Sequence, residues 1–190
     1  TFAHSKISKM TYIKKLNLGC GDKLMQGYIN IDKYETFNPD LAHDLEIFPY
    51  PFEDETVNEI QMIHVLEHLG QNPDVFINIM KELYRICIND AEIHIRVPHP
   101  RHDDYLSDPT HVRPITTLAL ALFDLEENKR WQASDAANSR MAMIHNVNFK
   151  IMKVDVKIDK KYQNQFNSGE LNISDIEDYA SKYNNVIKET

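Results

Sequence analysis

A short β-prone run, Lys14 to Leu18, stops abruptly at Gly19-Cys20-Gly21, and a second run, Tyr28 to Ile31, closes on Asp32 eleven residues beyond Gly21. No other feature constrains the fold as strongly. Two glycines after a first strand let the backbone approach a ligand closely, and an acid at the end of the second strand can bind both hydroxyls of a ribose. Only ten residues separate Leu18 from Ile29, whereas a parallel crossover normally takes about a dozen or more. The helix usual in such a crossover must therefore be vestigial or displaced.

The remaining elements read from pattern. Leu41 to Leu45 is a candidate third strand, and Val57 to Val65 reads as a central strand buried on both faces of a parallel sheet. Asn72 and Pro73 supply a cap and a first-turn proline for a helix carrying Val75, Phe76, Ile79, Met80, Leu83, Tyr84 and Cys87. Glu92 to Val97 alternates as a strand stopped by Pro98, and Thr116 can cap a helix with Leu118, Leu120, Leu122 and Phe123. Met141 to Ile144 and Phe149 to Ile158 read as two closing strands joined through His145 to Asn148. Ser174 with Glu177 has a capping-box pattern ahead of Ile176, Tyr179, Ala180 and Tyr183.

The fold these elements imply is α/β and Rossmann-like: a seven-stranded, mostly parallel sheet with an antiparallel last strand and helices on both faces. One domain spans residues 10–190, and 159–190 is its helical C-terminal extension. Met10-Thr11 looks like a natural start, so Thr1 to Lys9 reads as an upstream tail or non-native sequence. The 190 residues, 42% hydrophobic and 26% charged, contain no apolar run long enough to span a bilayer. Cys20 and Cys87 sit in apolar patterns as buried thiols, which fits a reducing, cytoplasmic setting. A formal net charge of −8 disfavours a nucleic-acid partner, since phosphate binding depends on a basic surface.

The segments LNLGCG and INID resemble the first motif of class I S-adenosylmethionine-dependent methyltransferases. His43-Asp44-Leu45 resembles that family's acid beside the adenine, and Met62-Ile63-His64-Val65-Leu66-Glu67-His68-Leu69 its loop under the methionine end of the cofactor. The resemblance covers about Leu16 to Ile158 and implies S-adenosyl-L-methionine as cofactor. Leu18, Gly19, Cys20 and Gly21 would then wrap the methionine moiety and Asp32 the ribose. Asp44 and Leu45 would hold the adenine, with His64 and Leu66 as the floor. Three positions depart from the family pattern: Lys23 replaces a common third glycine, Asn17 a common acid, and the first crossover is short.

A second constellation follows the fifth strand: Pro98-His99-Pro100-Arg101-His102-Asp103-Asp104, then Ser107-Asp108-Pro109-Thr110-His111-Val112-Arg113. Methyl transfer needs an acceptor lone pair aligned with the methyl group and, for a hydroxyl acceptor, a base. His111 is the first candidate base, followed by Asp104 and His102; alternatively, His111 only ties the loop to Asp108 or to backbone. The histidines and carboxylates between His99 and His111 permit a metal, but such clusters are commonly hydrogen-bonded turns, so no metal ligand is assigned. His64-Val65-Leu66-Glu67-His68 also matches the HxxEH pattern of inverted zinc peptidases, which requires a helix where this chain reads as strand. Trp131 is either a lid residue or a surface anchor.

The reaction these residues suggest is methyl transfer to an oxygen or nitrogen nucleophile of a small molecule or glycan. The alternatives are an aminopropyl transferase of the spermidine synthase kind, kept open by Asp103 and Asp104, and a non-catalytic S-adenosylmethionine-binding module. Oligomeric state is not legible.

Overall fold

The structure is a computed structural model that describes residues 14–190, so the reading of Met10 as a start lies outside the described residues. Its centre is a sheet of five parallel strands, β1 (Lys14–Leu18), β2 (Ile29–Asp32), β3 (Leu41–Ala42), β4 (Val57–Ile63) and β5 (Cys87–Arg96), in the order β3-β2-β1-β4-β5. The strand order turns back between β1 and β4. In open α/β sheets, the crevice outside the carboxyl ends at this switch point is where ligands bind.

Alternation explains the sheet. Leu16 pairs with Ile29 and Ile60, Asn17 pairs with Asn30 and Gln61, and Ile60 and Gln61 pair in turn with Ile93 and His94. A period of two then sends Leu16, Leu18, Ile31, Ile60 and Met62 to one face and Lys15, Asn17, Asn30, Glu59 and Gln61 to the other. The first set is buried in one core with Phe76, Ile79, Met80, Leu83 and Ile86 of α1 (Pro73–Ile86). Asn72 caps that helix by accepting from Asp74 N, with Pro73 in the first turn.

The second face is polar, so β4 is not buried on both faces as its sequence suggested. Glu59 and Gln61 lie where a second helix layer would need apolar partners, and Lys15, Glu92, His94 and Arg96 are exposed. Side chains satisfy this face instead: Lys15 Nζ lies 2.6 Å from Glu59, the Tyr28 hydroxyl donates to Glu59, and Gln61 Nε2 donates to it at 3.2 Å. Lys15 and then Tyr28 hold the Glu59 carboxyl down to about 2. Because folding depresses this group, its contribution is present above its ordinary value of 4.5 and is lost as pH falls toward 2. A carbon-detected NMR titration should find Glu59 titrating near 2 and moving back toward 4.5 in Lys15→Met.

The first crossover contains no helix, and the Asn17 departure explains how it is held. Asn17 Nδ2 donates to Lys23 O and to Asn30 Oδ1, both at 2.9 Å, and Asn30 Oδ1 also accepts Met25 N at 2.7 Å. Asp40 accepts the backbone and side-chain N–H groups of Asn30 at 2.8 Å, which lowers its pKa. An acid at position 17 could not donate to Lys23 O or to Asn30.

The second half departs from the reading of seven strands. Thr116 caps α3 (Thr117–Ala121) through Ala119 N as its sequence suggested, but Met141–His145 is helix α5, not a strand. Its start is held by Asn128, buried in α4 (Leu125–Ala133), whose Oδ1 accepts Ala142 N at 3.1 Å while Nδ2 donates to Leu122 O and Asp124 O. A short apolar run cannot by itself separate strand from helix. Asn128→Leu orphans these buried groups and is expected to cost about 2–4 kcal/mol by urea denaturation. Trp131 is buried in α4 and is neither a lid nor a surface anchor.

No closing hairpin forms. Of Phe149 to Ile158 only β6 (Lys157–Ile158) is a strand, and it pairs antiparallel with β7 (Ile187–Glu189) in a separate sheet. The last strand is therefore antiparallel as expected, but outside the central sheet. The C-terminal extension builds its own cluster from Ile158, Ile176, Val186 and Ile187, covered by α6 (Lys160–Asn167) and α7 (Ile173–Lys182). The capping box of α7 is Asn172 with Asp175, not Ser174 with Glu177. Val97 and Thr190 exchange two backbone hydrogen bonds at 3.0 Å, and His99 N donates to Lys188 O, tying the extension to the end of β5. No helix among the described residues is long and apolar enough to cross a membrane.

Candidate functional site

The carboxyl ends of β1, β2 and β4 meet at the glycine loop. Gly19 and Gly21 have φ of 65° and 50°, and a Cβ on Gly19 would lie 2.6 Å from Val65 Cγ2. The absence of a side chain at Gly19 lets the His64–Leu66 turn pack directly against the loop. Gly21 N donates to Asp32 Oδ2 and Tyr34 N donates to Asp32 Oδ1, both at 2.9 Å, while Cys20 N donates to Ile31 O at 3.0 Å. Two backbone N–H groups thus orient a carboxylate that is 8% exposed, and each oxygen keeps a lone pair for a ligand hydroxyl.

β3 brings the next pair. His43 N donates to Asp32 O, and Asp44 Oδ1 accepts Glu46 N at 3.0 Å, which fixes the turn beside Asp32; Leu45 is buried there. His64 has φ of 55° and its N donates to Arg96 O, so the chain turns sharply out of β4. Leu66 is fully buried and supports this turn from below rather than lining a surface. Leu18, Gly19, Cys20, Gly21, Asp32, Asp44, Leu45, His64 and Leu66 thus collect along one sheet edge. Burial pushes the Cys87 thiol up to about 12 and raises that of Cys20, so both thiols stay protonated at neutral pH.

The segment after β5 folds back onto the β4 turn. Val112 N and Arg113 N both donate to Glu67 O, Arg113 donates to Gly70 O at 2.6 Å, and its guanidinium lies 4.4 Å from the Phe76 ring centre. These contacts seat His111 against His68, with ring centres 4.6 Å apart, and its other side stacks on Tyr105. His111 Nδ1 bonds Tyr105 O at 2.8 Å, and Nε2 lies 3.8 Å from Asp108.

The other two candidate acid–base groups face the C-terminal extension. His102 Nδ1 accepts Asp104 N as the cap of α2 (Asp103–Leu106), and Nε2 bonds Asp159 at 3.3 Å, so both nitrogens are engaged. Asp104 pairs with Lys188 at 3.0 Å, and Asp103 bonds Asn185.

Sequence reasoning weighed Glu67 and His68 only within the HxxEH match and the 62–69 loop, without naming either as a site residue. Glu67 is 1% exposed and neither of its oxygens has a hydrogen-bond partner among the described residues; His64 Nδ1 lies 3.5 Å and His68 Nε2 4.0 Å from Oε1. Interaction with that carboxylate raises the His64 pKa above the usual histidine value. The HxxEH match held the signal, but on a strand-to-turn transition and not on a helix: only Leu66–His68 is a short 3-10 turn. Two clefts of about 330 and 360 Å³ beside α5, lined in part by Arg140, Met143 and Asn146, contain no histidine or carboxylate among their lining residues and carry no chemistry of this kind.

Among solved structures, a SAM dependent methyltransferase from Archaeoglobus fulgidus superimposes with a TM-score of 0.58, covering 94% of this chain and 84% of its own at 15% identity. The fold is that of class I methyltransferases. YcgJ protein from Bacillus subtilis is a weaker match, with a TM-score of 0.47 and 14% identity over 90% of this chain and 76% of its own. No protein-family model and no curated protein matches the sequence. Within the methyltransferase fold, the glycine loop and Asp32 occupy the carboxyl edge of the first two strands at the switch point.

Proposed function

We propose that the chain binds S-adenosyl-L-methionine along the carboxyl edge of β1, β2 and β4 and transfers its methyl group to an oxygen or nitrogen nucleophile of a small molecule or sugar. The observation that carries this reading is the brace at the switch point, where Gly21 N and Tyr34 N hold Asp32 beside a glycine loop with open space at Gly21. Asp32 takes the ribose hydroxyls, Leu18 to Gly21 the methionine end, and Asp44 with Leu45 the adenine. The A. fulgidus neighbour, titled a SAM dependent methyltransferase, supports methyl transfer as the general chemistry.

The acceptor approaches over the His64–His68 turn. His111 is our candidate base, a reading supported by Tyr105 O, which fixes a proton on Nδ1 and leaves the Nε2 lone pair free. His102 and Asp104 serve the C-terminal extension instead. The same contacts weigh against the aminopropyl alternative, because Asp103 and Asp104 are paired with Asn185 and Lys188 and not presented to a cationic amine.

Amide NMR during addition of S-adenosylhomocysteine tests the placement. Shifts concentrated at Gly19, Gly21, Asp32, Asp44 and His64 are expected. Shifts confined to α5 or to the C-terminal extension would overturn it.

A further inference from the structure

The geometry points to a divalent transition-metal site formed by Glu67, His68 and His111. One ligand atom from each lies within 4.8 Å of the others. Metal bonds to imidazole of about 2.0–2.1 Å require the side chains to close on the order of 1 Å, a movement small enough for side-chain torsions to supply.

The hydrogen bonds around the cluster have already selected its tautomers. Tyr105 O can only accept, so His111 carries its proton on Nδ1. The Thr110 hydroxyl donates to Asp108 Oδ1 at 2.6 Å, so it accepts from His68 Nδ1 at 2.9 Å, and His68 also carries its proton on Nδ1. Both Nε2 lone pairs are left bare, one of them 4.0 Å from Glu67 Oε1. A carbonyl or hydroxyl that orients a histidine through its second nitrogen is the usual outer support of a metal-binding imidazole.

Glu67 supplies the independent observation. Its carboxylate is buried, and neither oxygen receives a hydrogen bond from any group among the described residues. Glu67, His68 and His111 therefore gather with only His64 Nδ1, 3.5 Å from Glu67 Oε1, near enough to share a proton, an arrangement that a bound cation would compensate. Two imidazoles and one carboxylate suit first-row transition metals, whereas Mg²⁺ and Ca²⁺ prefer all-oxygen sites. His64 Nδ1 lies 3.5 Å from Glu67 Oε1 but does not join the cluster, and Asp108 faces His111 from the other side. His68, one-third exposed, gives the ion its route in. A metal on His111 Nε2 takes the lone pair with which that residue would act as a base, so His111 becomes a ligand.

Metal binding can be read without cofactor or acceptor present. Its test is calorimetric titration of the chelator-treated full chain with ZnCl₂, together with visible absorption on adding CoCl₂. One Zn²⁺ per chain is expected, with affinity reduced at least 100-fold in His68→Ala and in His111→Ala, unchanged in His94→Ala, and no response to MgCl₂. Co²⁺ should give a d–d band that His111→Ala abolishes. Glu67→Gln, nearly identical in shape, should also weaken binding, with circular dichroism confirming that it folds. Zn²⁺ binding that survives His68→Ala and His111→Ala overturns the site and assigns the ion to other surface histidines. No binding at all also overturns it and leaves a proton shared between His64 and Glu67 as the compensating charge.

Discussion

Gly19→Ala should destabilise the fold by about 2–5 kcal/mol, while Gly21→Ala should cost only about 1–2 kcal/mol. Both glycines have positive φ, so both substitutions carry the left-handed penalty. They differ in space. A methyl group at Gly19 would lie 2.6 and 2.7 Å from the two γ-carbons of Val65, while at Gly21 it meets nothing within 4 Å. Val65 is buried, so the clash moves backbone at the end of β4 rather than a free side chain. Urea denaturation of the two variants beside wild type reads the difference, and equal midpoints would show that the glycine loop and the His64–Leu66 turn are not packed together.

Asp32→Ala should reduce S-adenosylhomocysteine affinity by about 100-fold or more, since a hydrogen bond to a charged group contributes about 1.5–3 kcal/mol and a ribose offers two hydroxyls. The substitution also leaves Gly21 N and Tyr34 N without their acceptor, so a smaller loss of stability accompanies it. The two effects separate experimentally. Circular dichroism and a melting midpoint report the fold, and calorimetry on the folded variant reports the ligand contact. Asp40→Ala is the control: Asp40 braces Asn30 on the same strand, and its hydrogen bonds go to Asn30 rather than to Gly21 or Tyr34. It should lower stability without removing binding.

The part of the fold that was legible in the sequence is the part governed by local chemistry. Glycines at forced positive φ, an acid at a strand end, and Asn72-Pro73 ahead of an apolar helical stripe each have one dominant local solution. The five strands of the sheet and α1 follow from these signals. What was misread depends on distant partners. Met143 and Ile144 look like strand residues until Asn128, in the preceding helix, captures the N–H groups that start α5. The β4 pattern looks buried on both faces because Val57 to Val65 becomes apolar toward its end; in the sheet Glu59 and Gln61 line a polar face with Lys15 and Tyr28.

The candidate site divides in the same way. Gly19, Gly21 and Asp32 are neighbours in sequence terms, within one crossover. The approach of His111 to Glu67 and His68 depends on a loop pinned by Val112 N and Arg113 N to Glu67 O, a contact across more than forty residues that no spacing rule encodes. His102 stood out by composition, yet its burial and its bond to Asp159 show a residue that fastens the C-terminal extension.

Calorimetric titration of the purified chain with S-adenosylhomocysteine tests the central claim most directly. Saturable 1:1 heat with micromolar affinity, lost in Asp32→Ala, is the outcome expected of a cofactor held at the switch point. No heat from a folded wild-type chain would contradict it and leave the methyltransferase fold here without its cofactor.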